Sequence, residues 1–170
     1  LTRRGLTIMY AHLPAQVRQW VILQVAVSNG SPAECTVQPE RIEFRRKDGS
    51  VLRADTANFV IRSLMDRAGR NDVIRMVSAY ELGLYGMQRF QSTNGYEQRR
   101  QAALAEVSSA KVKAAAAASA IAFVQTKLKP GESTDGAVFF PTAGKPLGAG
   151  RLVVTAGGEV FEFDPEQAGQ

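Results

Sequence analysis

The stretch that decides the fold lies near the end of the chain and reads Lys127-Leu-Lys-Pro-Gly-Glu-Ser-Thr-Asp-Gly-Ala-Val-Phe-Phe140. From residue 127 to residue 163 the pattern is turn, strand, loop, strand, turn and strand, because short apolar alternations are separated by proline and glycine. Three strands are too few to form a sandwich. We therefore expect their partners in the other strand-rich segment, residues 4–53.

The chain has 170 residues, which normally make one domain or one domain with a large insertion. Hydrophobic residues make up 45% and charged residues 22%, as in ordinary globular proteins. The sequence predicts an α+β fold: a discontinuous antiparallel β-sandwich from residues 4–53 and 128–164, a helical insertion of about three helices at 54–127, and a polar tail at 165–170. Deleting residues 54–126 and joining the ends is then expected to leave a folded β domain.

The clearest strand runs from residue 18 to residue 28, and both of its faces are largely apolar. One face carries Val21, Leu23, Val25 and Val27, and the other carries Trp20, Ile22, Gln24 and Ala26. A strand that is apolar on both faces is typical of a central position covered on each side. We therefore expect this strand in the middle of a sheet, with Val25 and Phe140 in one hydrophobic interior.

Glycine-containing pairs predict the turns. Pro130-Gly131 has proline and glycine at the positions that a type II turn requires. Asp48-Gly49 and Gly157-Gly158 predict tight hairpins, since glycine tolerates positive φ. Arg45, Arg46 and Lys47 precede the first of these hairpins, and we interpret them as solubilising, edge-protecting charges.

The insert is predicted to begin with a helix that Asp55 caps and that ends near Ala68. Its expected inward side is formed by Phe59, Val60, Leu64 and Met65. A second helix is expected to begin at Asn71 or Asp72. Its expected inward side is formed by Val73, Val77, Tyr80 and Leu84.

A third helix is predicted from Asn94, which with Glu97 resembles a capping box, to about Phe123. It would be roughly 45 Å long at 1.5 Å per residue, so we expect it to bend or to project, with Ser108-Ser109 as the bend. Five consecutive alanines at 114–118 favour helix and allow another helix to approach closely.

Two motifs carry a resemblance. The turn Leu128-Lys-Pro-Gly-Glu132 is followed by Gly136-x-Val138-x-Phe140, and an early strand ends in Val27-Ser-Asn29. Over residues 6–53 and 128–163 the chain resembles immunoglobulin-like β-sandwich domains of bacterial exported proteins and lipoproteins. The resemblance implies that fold and an extracytoplasmic address, periplasmic or lipid-anchored, with an export signal outside this sequence. It does not cover the helices.

Most catalytic chemistries are disfavoured by the residues present. The one cysteine, Cys35, excludes an internal disulfide and a multi-cysteine metal site, and its strand context predicts a buried thiol. The one histidine, His12, lies in a predicted loop, and no Gly-x-Ser-x-Gly elbow is present. Glu132 and Asp135 flank a turn, where we expect Asp135 to bond its own loop. We expect no catalytic, cofactor or metal site.

Charge and hydropathy restrict the partners. The net charge of +5 is spread among acidic residues, so we do not expect nucleic acid as the partner. No apolar run approaches the ~18 residues of a membrane-spanning helix.

The leading hypothesis is a non-enzymatic extracytoplasmic interaction or structural module that contacts an unknown protein through the insert. The candidate surface is Tyr80, Leu84, Tyr85, Ala114 and Ala118, with a homodimer through the alanine-rich helix as one possibility. The alternative is a protein that binds a carbohydrate or apolar ligand between insert and sandwich. A third hypothesis is an anionic-polymer binder, which would show steep salt dependence.

Overall fold

The structure is a computed structural model that describes residues 1–11, 15–86, 95, 96, 98 and 109–164. Over these residues the chain is an α+β protein with antiparallel sheets and three α-helices. The helices are α1 Ala57–Arg67, α2 Arg70–Gly86 and α3 Ala110–Ile121, and a 3-10 turn spans Pro39–Arg41. The strands are β1 Thr2–Arg3, β2 Leu6–Tyr10, β3 Ala15–Val17, β4 Trp20–Asn29, β5 Cys35–Val37, β6 Ile42–Arg46, β7 Val51–Arg53, β8 Thr126–Leu128, β9 Ser133–Pro141, β10 Gly150–Ala156 and β11 Glu159–Phe163.

The first sheet is built around β4. Strand β9 pairs with one edge of β4, and β2 and β3 follow one another along its other edge, with β1 beyond β2. The register places Val25 opposite Gly136 and Val21 opposite Phe140. The long strand near the start and the strand after the helices are therefore direct neighbours.

A second sheet has the strand order β11-β10-β6-β7, and a two-stranded sheet pairs β5 with β8. Both sheets join segments that lie before and after the helices in sequence. Strand β8 was not predicted, since Thr126 and Lys127 were assigned to the helical insertion. Thr126–Leu128 pairs with Cys35–Val37, which supplies the ladder hydrogen bonds that make it a strand.

The first sheet is the middle layer, covered on both faces. Leu23, Val25 and Phe140 belong to one hydrophobic cluster with the inner face of the second sheet. Trp20 and Phe139 belong to another, with the helices. The central position predicted for β4 is thus confirmed, and so is the shared interior of Val25 and Phe140.

Helix α1 buries a narrower stripe than the sequence predicted. Val60 and Leu64 are buried, but Phe59 is 52% exposed and Met65 is 43% exposed, so the predicted inward side was wrong for these two. At about 100° per residue, Phe59 and Met65 lie on opposite flanks of the Val60–Leu64 stripe. The cap also differs, because Thr56 rather than Asp55 accepts from the Phe59 amide.

The inward side predicted for α2 is supported where its side chains are described, whereas the boundary predicted for the third helix is not. Val73 and Val77 are half-buried and pack against the helical cluster, and among the described residues of α2 Met76 and Asp72 are buried. Helix α3 begins only at Ala110, because Ser109 is extended. The bend was expected at Ser108-Ser109, and Ser109 is the extended residue directly before the first turn of α3. Ser108 and the proposed capping pair Asn94 and Glu97 lie outside the described residues.

The two motif segments meet at Asn29, which is fully buried. Its side-chain Nδ2 donates to Ala33 O at 2.8 Å and to Leu128 O at 3.0 Å, while its Oδ1 accepts from Ser31. Its backbone amide donates to Glu132 O at 2.9 Å. Gly131 has φ +83°, and Glu132 N donates to Lys129 O at 3.0 Å, which confirms the type II turn.

Candidate functional site

The residues predicted to form an interaction surface divide into two groups. Tyr80, Leu84 and Tyr85 lie on α2, but their side chains are outside the described part of the structure. Ala114 and Ala118 lie on α3 and are fully buried, each with no exposed area. The structure therefore does not present the two alanines to solvent.

The alanines of α3 are covered within the chain. Helix α3 packs against both α1 and α2, and its alanines share a cluster with Val60, Leu64 and Met76. Small side chains let helix backbones approach closely, which is the property that suggested pairing between chains. Here the small side chains of α3 allow close packing against α1 and α2 of the same chain. A second copy would reach Ala114 and Ala118 only after displacing α1 and α2.

Two carboxylates, the half-buried Asp55 and the buried Asp72, connect the helices to the first sheet. Trp20 Nε1 donates to Asp55 Oδ2 at 2.8 Å, and the Asp55 amide donates to Phe139 O at 2.8 Å. Arg18 Nε lies 2.9 Å from Asp72 Oδ2, which also accepts from the Gly69 amide at 2.8 Å. Bonds of this kind to a charged group hold the start of α1 and of α2 in fixed positions.

The outward surface of the helices carries large apolar side chains. Phe59 and Met65 flank the exposed Arg62 on α1, and Ile74 on α2 is 53% exposed. Phenylalanine, methionine and arginine are enriched at protein–protein interfaces. Sequence reasoning missed this surface because it assigned Phe59 and Met65 to the buried side of the helix.

A second surface feature lies at one end of the second sheet. A cleft of about 320 Å³ is lined by residues of β6, β10 and β11, and an adjoining one of about 400 Å³ by the β6–β7 turn and the loop before β10. We call their union the basic cleft. Its charged lining residues are Arg45, Arg46, Lys47, Asp48, Lys145, Arg151, Glu162 and Asp164.

The basic cleft unites cations that are distant in sequence. Antiparallel pairing places Arg151 opposite Arg45 and Gly150 opposite Arg46. The loop before β10 adds Lys145. The sequence pattern identified Arg45, Arg46 and Lys47 as one local group but not the convergence with Lys145 and Arg151, since only strand pairing creates it.

The residues considered for catalysis have separate structural roles where the structure describes them. His12 lies outside the described residues. Cys35 is buried, as predicted, and burial raises the pKa of its thiol. Glu132 accepts from the Lys129 amide at 2.8 Å. Asp135 is buried within β9 and accepts from Gln24 Nε2 at 3.0 Å, so the expectation that it bonds its own loop was wrong.

Within the described ranges, no three His, Cys, Asp or Glu residues are grouped so that they would hold a metal ion. Nor does any helix in that part of the chain have the length and apolar character needed to cross a membrane. The chain matches no protein family, no curated protein and no solved structure.

Proposed function

We propose that this protein is a non-enzymatic, extracytoplasmic interaction or structural module built on an immunoglobulin-like β-sandwich. Strand order supports the proposal. In immunoglobulin-like domains the first, second and fifth strands (A, B and E) share one sheet, and the C, F and G strands form the other. Here β2, β4 and β9 share a sheet, and β6, β10 and β11 share the other in the order β11-β10-β6.

The helical insert is the part that the sandwich pattern does not require. It lies between β7 and β8 in sequence and covers the outer face of the first sheet. The observation that carries the functional proposal is that this insert is fastened to the sheet yet exposes Phe59, Met65 and Ile74. A fixed surface with exposed apolar anchors binds a partner at low ordering cost.

The partner we propose is a different protein. The alanine stripe, which suited pairing with a second copy, is already covered by α1 and α2. The exposed α1 residues combine an aromatic ring, a thioether and a guanidinium, which are enriched at protein–protein interfaces in general. Where the insert is described, Trp20, Phe139 and Leu64 pack together between the helices and the first sheet, so this part of the interface gives less support to a small-molecule site.

Site-specific photocrosslinking in the natural host tests the proposal. A photoreactive phenylalanine analogue at position 59 or 74 is expected to give one discrete adduct with a second protein. The matched control is position 160, where Val160 is 43% exposed on the second sheet, away from the insert. The same adduct from position 160, or no adduct from positions 59 and 74, contradicts the proposed surface.

Two further measurements complete this test. Light scattering is expected to show a monomer, since a dimer would restore the alternative of self-association through α3. Fractionation of host cells with an antibody is expected to find the protein and its adduct outside the cytoplasm. Recovery in the cytoplasmic fraction alone contradicts the proposed address.

A further inference from the structure

We propose that the basic cleft binds a small phosphate or sulfate oxyanion. The proposal is independent of the interaction surface on the helices, because the cleft lies at the end of the second sheet. It starts from the composition of the lining. Among the described residues, five cationic side chains line the cleft against three carboxylates, a net charge of +2.

Two of the five cations of the cleft, Arg45 and Arg151, are paired with carboxylates. Arg45 Nη2 lies 3.3 Å from Glu43 Oε2. Glu162 Oε2 lies 3.0 Å from Arg151 Nη1. Asp48 Oδ1 accepts from the Ser50 amide at 2.8 Å and from the Ser50 hydroxyl at 2.6 Å, and these bonds lower the pKa of Asp48. The lowered pKa keeps Asp48 ionised beside Arg46, so its negative charge counts in full against the cations of the cleft.

The walls of the cleft are held in place by backbone bonds. Lys47 N donates to Ala149 O at 3.0 Å, and Arg46 N donates to Ser50 O at 2.8 Å. The hairpin and the loop before β10 are therefore tied together. Cationic side chains on segments that hydrogen bonds hold in place lose less conformational entropy on binding than cationic side chains on a free loop.

Arg46 is the best placed of the five cations. Its Nε donates to Leu147 O at 2.9 Å, so the guanidinium is oriented before any ligand arrives. A planar guanidinium offers parallel N–H donors that match two oxygens of a phosphate or sulfate. Arg46 lines both parts of the cleft, one together with Arg151 and the other together with Lys145, which favours an anion with more than one charged oxygen.

The test is a titration of the ¹⁵N-labelled full chain followed by NMR at constant ionic strength, with sodium chloride replaced by the ligand salt. The probes are inorganic phosphate, inorganic sulfate and glycerol 3-phosphate. Amide shifts are expected to be saturable and confined to the cleft, around Lys47, Leu147 and Gly150. Preference for glycerol 3-phosphate over inorganic phosphate would identify the anion as part of a larger molecule.

Charge variants make the result specific. Arg46→Gln is expected to weaken binding about tenfold, or ~1.4 kcal/mol, because the charge and the paired N–H donors of the guanidinium are lost. Arg46→Lys keeps the charge without the planar fork and is expected to restore only part of the affinity. Arg53→Gln removes one exposed charge from the same sheet outside the cleft and is expected to change affinity less than about twofold.

Because Arg46 also holds the loop, Lys145→Gln and Arg151→Gln supply variants that leave that bond intact. Each is expected to weaken binding by about threefold, as the loss of one cation from a partly solvated site. Shifts spread evenly over the surface, or equal losses for Arg46→Gln and Arg53→Gln, would reduce the effect to ionic screening and overturn the proposal. Absence of saturation with all three probes overturns it as well.

Discussion

At the scale of single residues, the buried Asn29 joins the end of β4 to the segments around Ala33 and Leu128. Its amide makes four hydrogen bonds, to Ala33, Leu128 and twice to Ser31, and its backbone bonds the Pro130-Gly131 turn. A buried carbonyl that loses its donor costs free energy because water does not replace it. This physical role explains why an asparagine ends β4 where the turn after β8 approaches.

Replacement of Asn29 by alanine is expected to lower the free energy of unfolding by about 2–3 kcal/mol, because the buried Leu128 carbonyl loses its donor. Asn29→Asp, which keeps the shape but faces two carbonyls with a charge, is expected to cost more. Urea unfolding followed by circular dichroism measures both. The control is Asn71→Ala on the exposed side of α2, expected to stay within about 0.5 kcal/mol.

At the scale of elements, β9 lies so close to the chain segment after α3 that the contact restricts the residue type at position 136. The Phe123 amide donates to Ala137 O at 2.9 Å, and Ala122 forms a bridge with Ala137. A Cβ added at Gly136 would lie 2.4 Å from Phe123 Cα. Glycine is thus needed at position 136 for space, and it lets the end of α3 lie directly on the strand.

Gly136→Ala is expected to destabilise the protein by about 2–3 kcal/mol, because the backbone at Phe123 has to move away from the strand. Gly69→Ala is the matched control. A Cβ at Gly69 would meet only Asp72 Oδ2 at 3.9 Å, so this change is expected to cost less than about 1 kcal/mol, from the weaker helix N-cap alone. Midpoints of urea unfolding give the comparison, and equal midpoints for the two variants would contradict the close approach.

At the scale of the whole molecule, the insert is a structural layer of the protein. It covers Trp20, Ile22 and Phe139 on the outer face of the first sheet, and Phe123 extends into the cluster between the sheets. The segment joining α3 to β8 therefore contributes to the sandwich interior. Removal of the whole insert would expose a large apolar face and empty part of that interior.

Deletion of residues 54–126 is now expected to give a chain that aggregates or unfolds without cooperativity, which revises the expectation from sequence. A shorter deletion that keeps residues 122–126 and changes Trp20, Ile22 and Phe139 to threonine is expected to remain folded and monomeric. Light scattering and thermal unfolding distinguish the two chains. Cooperative unfolding of the unmodified deletion would show that the insert is dispensable for the sandwich.

Much of the fold was predictable because its signals are local. Apolar residues on both faces predicted β4 as a strand covered on each side, and Pro130-Gly131 predicted the turn between β8 and β9. Both signals depend on neighbouring residues alone. The prediction of the inward side of α1 was correct for two of its four residues. Val60 and Leu64 were correct, whereas Phe59 and Met65 were not, because an amphipathic pattern does not state how wide a stripe the neighbouring layer covers.

The candidate sites were less predictable from sequence than the strands and turns, because tertiary contacts form them. The alanine stripe of α3 was recognisable, but only the packing of α1 and α2 shows that it is covered within the chain. Likewise, Arg45, Arg46 and Lys47 are visible as a run, while Lys145 and Arg151 join them only through the pairing of β6 with β10. The amino-acid sequence by itself determined strands, turns and helical periods, because these follow from bonds and sterics between near neighbours. Tertiary structure decided which faces meet and which charges converge, because contacts between residues a hundred positions apart depend on topology.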